Sequence, residues 1–493
     1  MSEPDQSLLD PEDWEAYRRT AHEALDIALD FARHRPEEPV WQQLPDAARS
    51  LDDPLPEQAS PLARVVDEVA ARVLPHTLGN THPRFWGWVH GCGSPGGIVA
   101  QLLTGAINAN MGGRDHAPIY IERQVIRWMC QLYGYPATAS GILCTGTSSA
   151  TLLGLAVARH RALGAASRAA GSDGAPLIAY CSDQAHVSVA KAMEVLGLGS
   201  RALRAVPVRE DYSMDCGALA KMLQEDRSRG LRPFAVVSSV GTVNTGAIDD
   251  IESINALCAS HGLWHHADGA FGASIVLSDD LRHRLAGLEC ADSIAFDFHK
   301  WMHVTYATAC LLVRDGGEHL ATFETAHAYL RGERKGVAAG APWPNDFGLD
   351  LSRGFAALGI WMQLKEHGTA RLGAAIKRNC EQATWLGEQI HAATDLELLA
   401  PVSLNVVCFR YDPGPLPPEQ LDRLNRHLVV ELQCRGIAVP SFTRLRGRTA
   451  IRVCITNHRT RLSDLAALLD AVPALGQEFL CAGEEPADFD IDR

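Results

Sequence analysis

Five short apolar runs, separated by stretches with helical spacing, lie between about residues 140 and 315 and leave this chain few ways to fold. They are Ile142-Leu143-Cys144, Leu177-Ile178-Ala179-Tyr180, Phe234-Ala235-Val236-Val237, Leu263-Trp264-His265-His266-Ala267 and Ser293-Ile294-Ala295-Phe296. Strands that alternate with helices build a largely parallel sheet, and the crossover helices cover both of its faces. The pattern therefore predicts an α/β fold. In such a fold a ligand sits at the carboxyl ends of the strands, and the polar residues of this segment fall there.

The flanks read differently. Residues 10–35 have amphipathic spacing, with Asp10 placed to cap a helix, Pro11 suited to its first position, and Glu12 and Asp13 matched to the positive end of its dipole. Prolines at 36, 39, 45, 54, 56 and 61 then punctuate the chain, as in an arm. Residues 330–345 carry little periodicity and are expected to form a mobile loop. Beyond residue 352, long helical patterns lead to apolar runs at 404–409 and 451–455 and a closing helix near 462–472, a smaller α+β domain; the acidic tail after Glu478 is expected to be disordered. The expected division is an N-terminal helical arm over 1–80, a large α/β domain over 81–360 and a small α+β domain over 361–493. A chain of 493 residues can fill such cores.

The net charge of -14 argues against nucleic acid as a partner. No apolar run has the length of a membrane span, and the acidic N-terminus lacks a signal core, so a cytoplasmic protein is expected. Thirteen scattered cysteines without a C-x-x-C pair predict free thiols and no metal site.

Lysine is scarce. Only six of the 45 basic residues are lysines, at 191, 221, 300, 335, 365 and 377. A neutral amine adds to a carbonyl to form an imine, whereas a guanidinium stays charged and cannot. Genome composition would account for the scarcity but not for the position of Lys300, which closes a strand run at Phe296-Asp297-Phe298-His299-Lys300. Three further features precede it. Thr145-Gly146-Thr147-Ser148-Ser149-Ala150 joins a strand to a helix, and reads either as a plain helix cap or as an anion site. His186 follows the strand at 177–180, as a polar loop histidine or as a residue able to stack on a flat ring. Asp268 ends the strand 263–267, capping a turn or pairing with a ring N–H⁺ beside the small Ala270. Alternation places His266 with Asp268 and Ala270 on one face and His265 on the other, so the two histidines cannot readily share a metal. The four features in this order outweigh their separate bland readings.

At these residues the chain resembles the group II, fold-type I pyridoxal-phosphate decarboxylases of the aromatic-L-amino-acid decarboxylase kind. The runs that carry the likeness are Ser182–His186, Gly241-Thr242 with Gly246-Ala247-Ile248-Asp249, His266-Ala267-Asp268-Gly269-Ala270, and Asp297-Phe298-His299-Lys300-Trp301. The resemblance implies pyridoxal 5'-phosphate bound covalently to Lys300, paired at its ring nitrogen with Asp268 and stacked on His186. It puts Thr147, Ser148, Asp297 and His299 on the phosphate side, with Thr242 and Ala270 as further cofactor contacts. Ser149 and Val243 depart from the family pattern, where Glu and a second Thr are common. Tyr329 matches the family's catalytic-loop tyrosine, which would protonate the product carbon as a general acid, although an ordinary surface tyrosine reads the same way. Relatives with Phe at that position tend toward aldehyde synthesis.

The implied enzyme is a homodimer, with its active site near the interface, that releases CO₂ from an L-amino acid. The aromatic run 85–90, with Trp88 and His90 as candidate substrate residues, favours an aromatic side chain, though Phe85 and Trp86 also read as core. Ser352 lies where relatives carry Gly or Ser and favours a ring smaller than indole. Acidic amino-acid decarboxylation and aldehyde synthesis are the alternatives.

Overall fold

Seven strands form the central sheet: β1 (Ser140–Cys144), β2 (Leu177–Ser182), β3 (Leu203–Val206), β4 (Arg232–Ser239), β5 (Trp264–Asp268), β6 (Ser293–Asp297) and β7 (Ala309–Val313). Their spatial order is β1-β7-β6-β5-β4-β2-β3. The run from β6 to β3 is parallel, and β7 is antiparallel to both of its neighbours. β2, β5, β6 and β7 are buried along their whole length, which is why they read as unbroken apolar runs. The helix Thr147–Leu163 covers one face, and the helices Cys216–Ser228 and Ile251–His261 cover the other. The computed structural model describes residues 9–45, 53–172, 174–324 and 333–482.

Register aligns the carboxyl ends of the parallel strands. Asp268, the last residue of β5, lies opposite Ser239, the last of β4, and opposite Ala295, two residues before the end of β6. The two central histidines point to opposite faces, as alternation requires. His265 meets Ser238 Oγ and Asn255 Oδ1, and His266 meets Ser293 Oγ and Thr151 Oγ1.

A second, antiparallel sheet follows, ordered β10-β11-β9-β8 and built from β8 (Leu396–Leu398), β9 (Val406–Tyr411), β10 (Ser441–Leu445) and β11 (Arg448–Cys454). It packs with the helices Pro418–Cys434 and Leu462–Ala482. The closing helix therefore runs through Ala482, and residues 479–482, expected to be disordered, are helical; Glu478 before them is held by a two-pronged contact from Arg435. A long helix, Ala356–Ala392, joins the two sheets and breaks at Gly368, whose φ of 66° suits glycine. The segment before the large sheet also reaches the small one. Trp86 exchanges backbone hydrogen bonds with Val439 and Cys454 and lies fully buried in that core.

The N-terminal helix starts later than its composition suggests. It spans Trp14–His34, and Asp13 caps it by accepting from the backbone N–H groups of Glu15 and Ala16 at 3.0 and 2.9 Å. Asp10 lies three residues too early to reach them. This helix contains no buried residue. All thirteen cysteines are free thiols. Among the described residues, no helix is long and apolar enough to cross a membrane.

Candidate active site

The carboxyl ends of β1, β2, β4, β5 and β6 converge on a cavity of about 390 Å³. Of the residues singled out from the sequence, Thr147, Ser148, His186, Thr242, Asp268, Ala270, Asp297, His299, Lys300 and Trp88 all line it.

Asp297 organises one wall. It ends β6, is buried, and accepts from the backbone N–H of Thr147 through Oδ1 at 2.7 Å. Its Oδ2 lies 2.9 Å from Lys300 Nζ and 3.9 Å from His299 Nε2. A carboxylate has no proton to give an anion, so Asp297 serves here as an acceptor that ties Lys300 to the start of the helix Thr147–Leu163. The anion-seeking groups are its neighbours. Thr147 Oγ1 is buried without a hydrogen-bond partner among the described residues, and Ser148 is exposed to the cavity beside it.

Asp268 stands at the opposite end. Burial pushes its carboxyl above the usual range, and Lys300 and His186 pull against that push. An anion in this position gains most from a cation placed directly against it. The ring of His186 is open to the cavity. Its Nδ1 accepts from the Ser188 backbone N–H at 3.2 Å and lies 2.8 Å from Ser188 Oγ. The proton of the neutral ring is therefore on Nε2. Burial lowers the pKa of His186 and keeps that ring neutral, with Asp268 opposing and Lys300 adding to the effect.

Thr242 lines the cavity but spends its hydroxyl within its own turn, accepting from Ala247 N at 3.1 Å and sharing a 2.9 Å contact with Thr245 Oγ1. His299 is held at Nδ1, 2.9 Å from Thr308 O, and its ring stacks on Tyr306 with centroids 4.3 Å apart.

The mouth comes from distant segments. Trp88 is half exposed and forms an aromatic cluster with Phe85 and His90, at centroid distances of 5.6–6.3 Å. His90 stands behind Tyr306, with its Nδ1 3.2 Å from Tyr306 Oη. Gly91 passes so close to the backbone of His299 and Lys300 that any side chain would collide with it. Ser352 opens instead on an adjoining cavity of about 480 Å³, which shares Thr145, Tyr306 and Ala307 with the first. Tyr329 lies outside the described residues.

Two residues of this site escaped the sequence reading. Tyr306 forms a wall common to both cavities, and burial pushes its hydroxyl up to about 12. Its signal was its place in the nine-residue return from Lys300 to β7, which must pass over the strand ends. Arg452 is buried on β11, and its guanidinium donates to the carbonyls of Trp88, Val243 and Asn244. It clips the mouth segment to the Gly241–Gly246 turn, a role that no local pattern announces.

Known proteins share the sequence pattern and the fold. Residues 45–412 match the family described as the pyridoxal-dependent decarboxylase conserved domain. The chain is 31% identical over 478 residues to an aromatic-L-amino-acid decarboxylase of Bacillus atrophaeus, covering 94% of this chain and 96% of that one. It is 27% identical over 468 residues to a phenylacetaldehyde synthase of Petunia hybrida, covering 91% of each. A crystal structure of Oryza sativa TDC with PLP and tryptamine has a TM-score of 0.88 to it at 25% identity, covering 96% of this chain and 100% of that one.

Proposed function

Because this chain belongs to the pyridoxal-dependent decarboxylase family, and is thereby a pyridoxal-phosphate enzyme acting on amino acids, we propose that its substrate is an aromatic L-amino acid, converted to the amine and CO₂. The observation that carries the aromatic choice is Trp88, which lines the mouth of the Lys300 cavity with His90 and the buried Phe85 packed behind it. Edge-to-face pairing with an incoming ring is what such a wall offers. The acidic alternative needs a free cation at the mouth, and the guanidinium of Arg452 is already committed to three carbonyls.

The residues present fit the cofactor. When bound, pyridoxal phosphate supplies a ring that accepts the electron pair released as the Cα–carboxylate bond breaks. The orphaned hydroxyl of Thr147 and the exposed hydroxyl of Ser148 are donors at a helix start, suited to its phosphate. Lys300 would hold it covalently. Asp297 keeps the ε-amine in place beforehand at 2.9 Å. Asp268, buried and in need of a cation, would hold the ring nitrogen in its charged form. The open, neutral ring of His186 would press on one face of the cofactor ring, and the small Ala270 would let it lie close on the other. Tyr329 would deliver the proton to Cα.

A panel of amino acids scored for CO₂, amine, aldehyde and peroxide tests this reading. Release of an aromatic amine with CO₂ is expected. Turnover confined to glutamate or aspartate would overturn the aromatic choice, and aldehyde with peroxide would replace decarboxylation by aldehyde synthesis. The same panel on Tyr329→Phe should show amine yield lost in favour of aldehyde; an unaltered yield removes Tyr329 from the mechanism.

We also propose a cytoplasmic homodimer divided into an arm, a large domain and a small domain. Val65 and Val69 on the helix Leu62–Arg72 and Val73 at its end, with Val99, Leu102, Leu103 and Ile107 on Pro95–Ile107, are exposed apolar faces that a second copy would cover. Light scattering at micromolar concentration reads the mass directly.

A further inference from the structure

A second cavity, of about 700 Å³, shares no lining residue with the Lys300 cavity. Its wall is basic. Arg371 and Arg378 come from the helix Ala356–Ala392 beyond its break at Gly368, and Arg459 comes from the connection after β11. Among the described residues, none of these three guanidinium groups pairs with a carboxylate. The one carboxylate on the wall, Glu366, lies 3.9 Å from His367 Nε2. Three fixed positive charges thus face one negative charge.

Arg378 gives one N–H to the carbonyl of His458, and other donors on the wall are unspent. Arg459 Nη1 is buried with no hydrogen-bond partner among the described residues. His303 lines the same cavity and is 2% exposed. Its Nδ1 lies 3.5 Å from Cys92 Sγ, while Nε2 on the other side of the ring is buried and unpartnered among the described residues. Native proteins rarely leave such atoms without a partner, and water, a ligand or an ion supplies one where the protein does not. His303 also has a left-handed backbone, φ 59°, which is strained for a residue other than glycine, so the fold holds this ring in place at a cost. Ser94 and Pro95 bring the positive end of the helix Pro95–Ile107 to the wall, and Ser94 gives its hydroxyl to Gln363 Oε1 at 2.6 Å rather than capping that helix.

We propose that this cavity binds a doubly charged oxyanion, held by Arg371, Arg378 and Arg459 with His303 Nε2 beneath it. The surrounding imidazoles report the same uncompensated field. His458, in edge contact with His303 at 4.9 Å, is pushed down to about 4 by burial and by Arg459 and Arg378. His303 is driven well below its ordinary value by burial, His458 and Arg459. A bound dianion would relieve that field. A phosphate ester and a dicarboxylate both supply this charge.

The test uses the full chain with cofactor bound, so that the cofactor's own phosphate site is filled. Sulfate and, separately, succinate are titrated calorimetrically at constant ionic strength held with chloride. Saturable binding of one anion per chain is expected, and the tighter of the two identifies the source class. Arg371→Gln and Arg459→Gln should each weaken binding by about tenfold or more, and Glu366→Gln should tighten it. Arg371→Lys keeps the charge and should retain binding, which covers the case in which a Gln variant does not fold. Absence of saturable binding by either anion would overturn the proposal. So would affinities that stay the same in folded Arg371→Gln and Arg459→Gln, because the anion would then be acting on the bulk protein.

Discussion

Lys300, Asp268, Asp297 and Thr147 stand at strand ends or at a helix start, are mostly buried, and hold one another directly or through the backbone. Trp88, Tyr306 and Ser352 line the other side of the same region, yet they stand on connections, are half-exposed or exposed, and come from segments more than two hundred residues apart at the extremes. The contrast matches the division of labour proposed above. The cofactor's chemistry demands fixed charge in a dry setting, which rigid strand ends supply. Substrate choice demands a shaped and alterable surface, which loops supply. If this division holds, changes on the first side should act on the chemical step, and changes on the second should act on binding.

The largest effect is expected at Lys300. Lys300→Ala should cut turnover by at least about 10⁴-fold and remove the visible absorbance of lysine-bound cofactor. Unchanged absorbance would move the covalent link elsewhere and dissolve the contrast.

The same contrast explains what the sequence could reveal. Asp268 was legible because a buried parallel strand reads as an apolar run with a polar residue at its end, and Lys300 because a scarce lysine closes the next such run. β7 was missing from the expected strands although it is as apolar as the parallel ones, and only the register shows it running the other way. β3, four residues long at the sheet's edge and only partly buried, carried too little pattern to stand out. The mouth was half legible. Aromatic residues at 85–90 flagged a wall, but Tyr306 and Arg452 reach it only through the return loop after Lys300 and the edge of the second sheet. His90 and Ser352, taken as substrate residues, reach the cavity through Tyr306 and through the adjoining cavity. The cap at Asp13 shows the same limit at short range, since Asp10 and Asp13 are chemically equivalent and only the start of the helix separates them.

Asp268→Asn should come next in size. It keeps the shape and deletes the charge. The loss of a buried charge pairing is worth about 2–5 kcal/mol, read as lower kcat and weaker retention of the cofactor. Near-normal kinetics would show that the buried carboxyl does not face the ring nitrogen.

A smaller effect concerns stability on the buried side alone. His265 and His266 are fully buried, and burial holds their pKa values down at about 4 and about 3. Both stay neutral in the folded chain while the unfolded chain protonates them below about 6.5. Their contribution is present above that pH and is lost as pH falls. Between pH 6.5 and 5 the loss is about 1.6 kcal/mol for each histidine. Urea unfolding at the two pH values should show the decline in the wild type and a shallower one in His265→Asn. Equal declines in the two proteins would mean that His265 does not carry this penalty.

Trp88→Ala should produce the smallest change, and of a different kind. The indole is half exposed, so its removal leaves the core intact, and its contact with a substrate ring is worth about 0.5–1.5 kcal/mol. KM for an aromatic amino acid should rise up to about tenfold while kcat stays within about twofold, the pattern of binding lost equally from ground and transition states. A fall in kcat with unchanged KM would place Trp88 in the chemical step and erase the distinction between the two walls. No change in either constant would leave the aromatic cluster without a role in substrate choice, and the acidic alternative would then have to be met by a cation reaching the mouth from elsewhere.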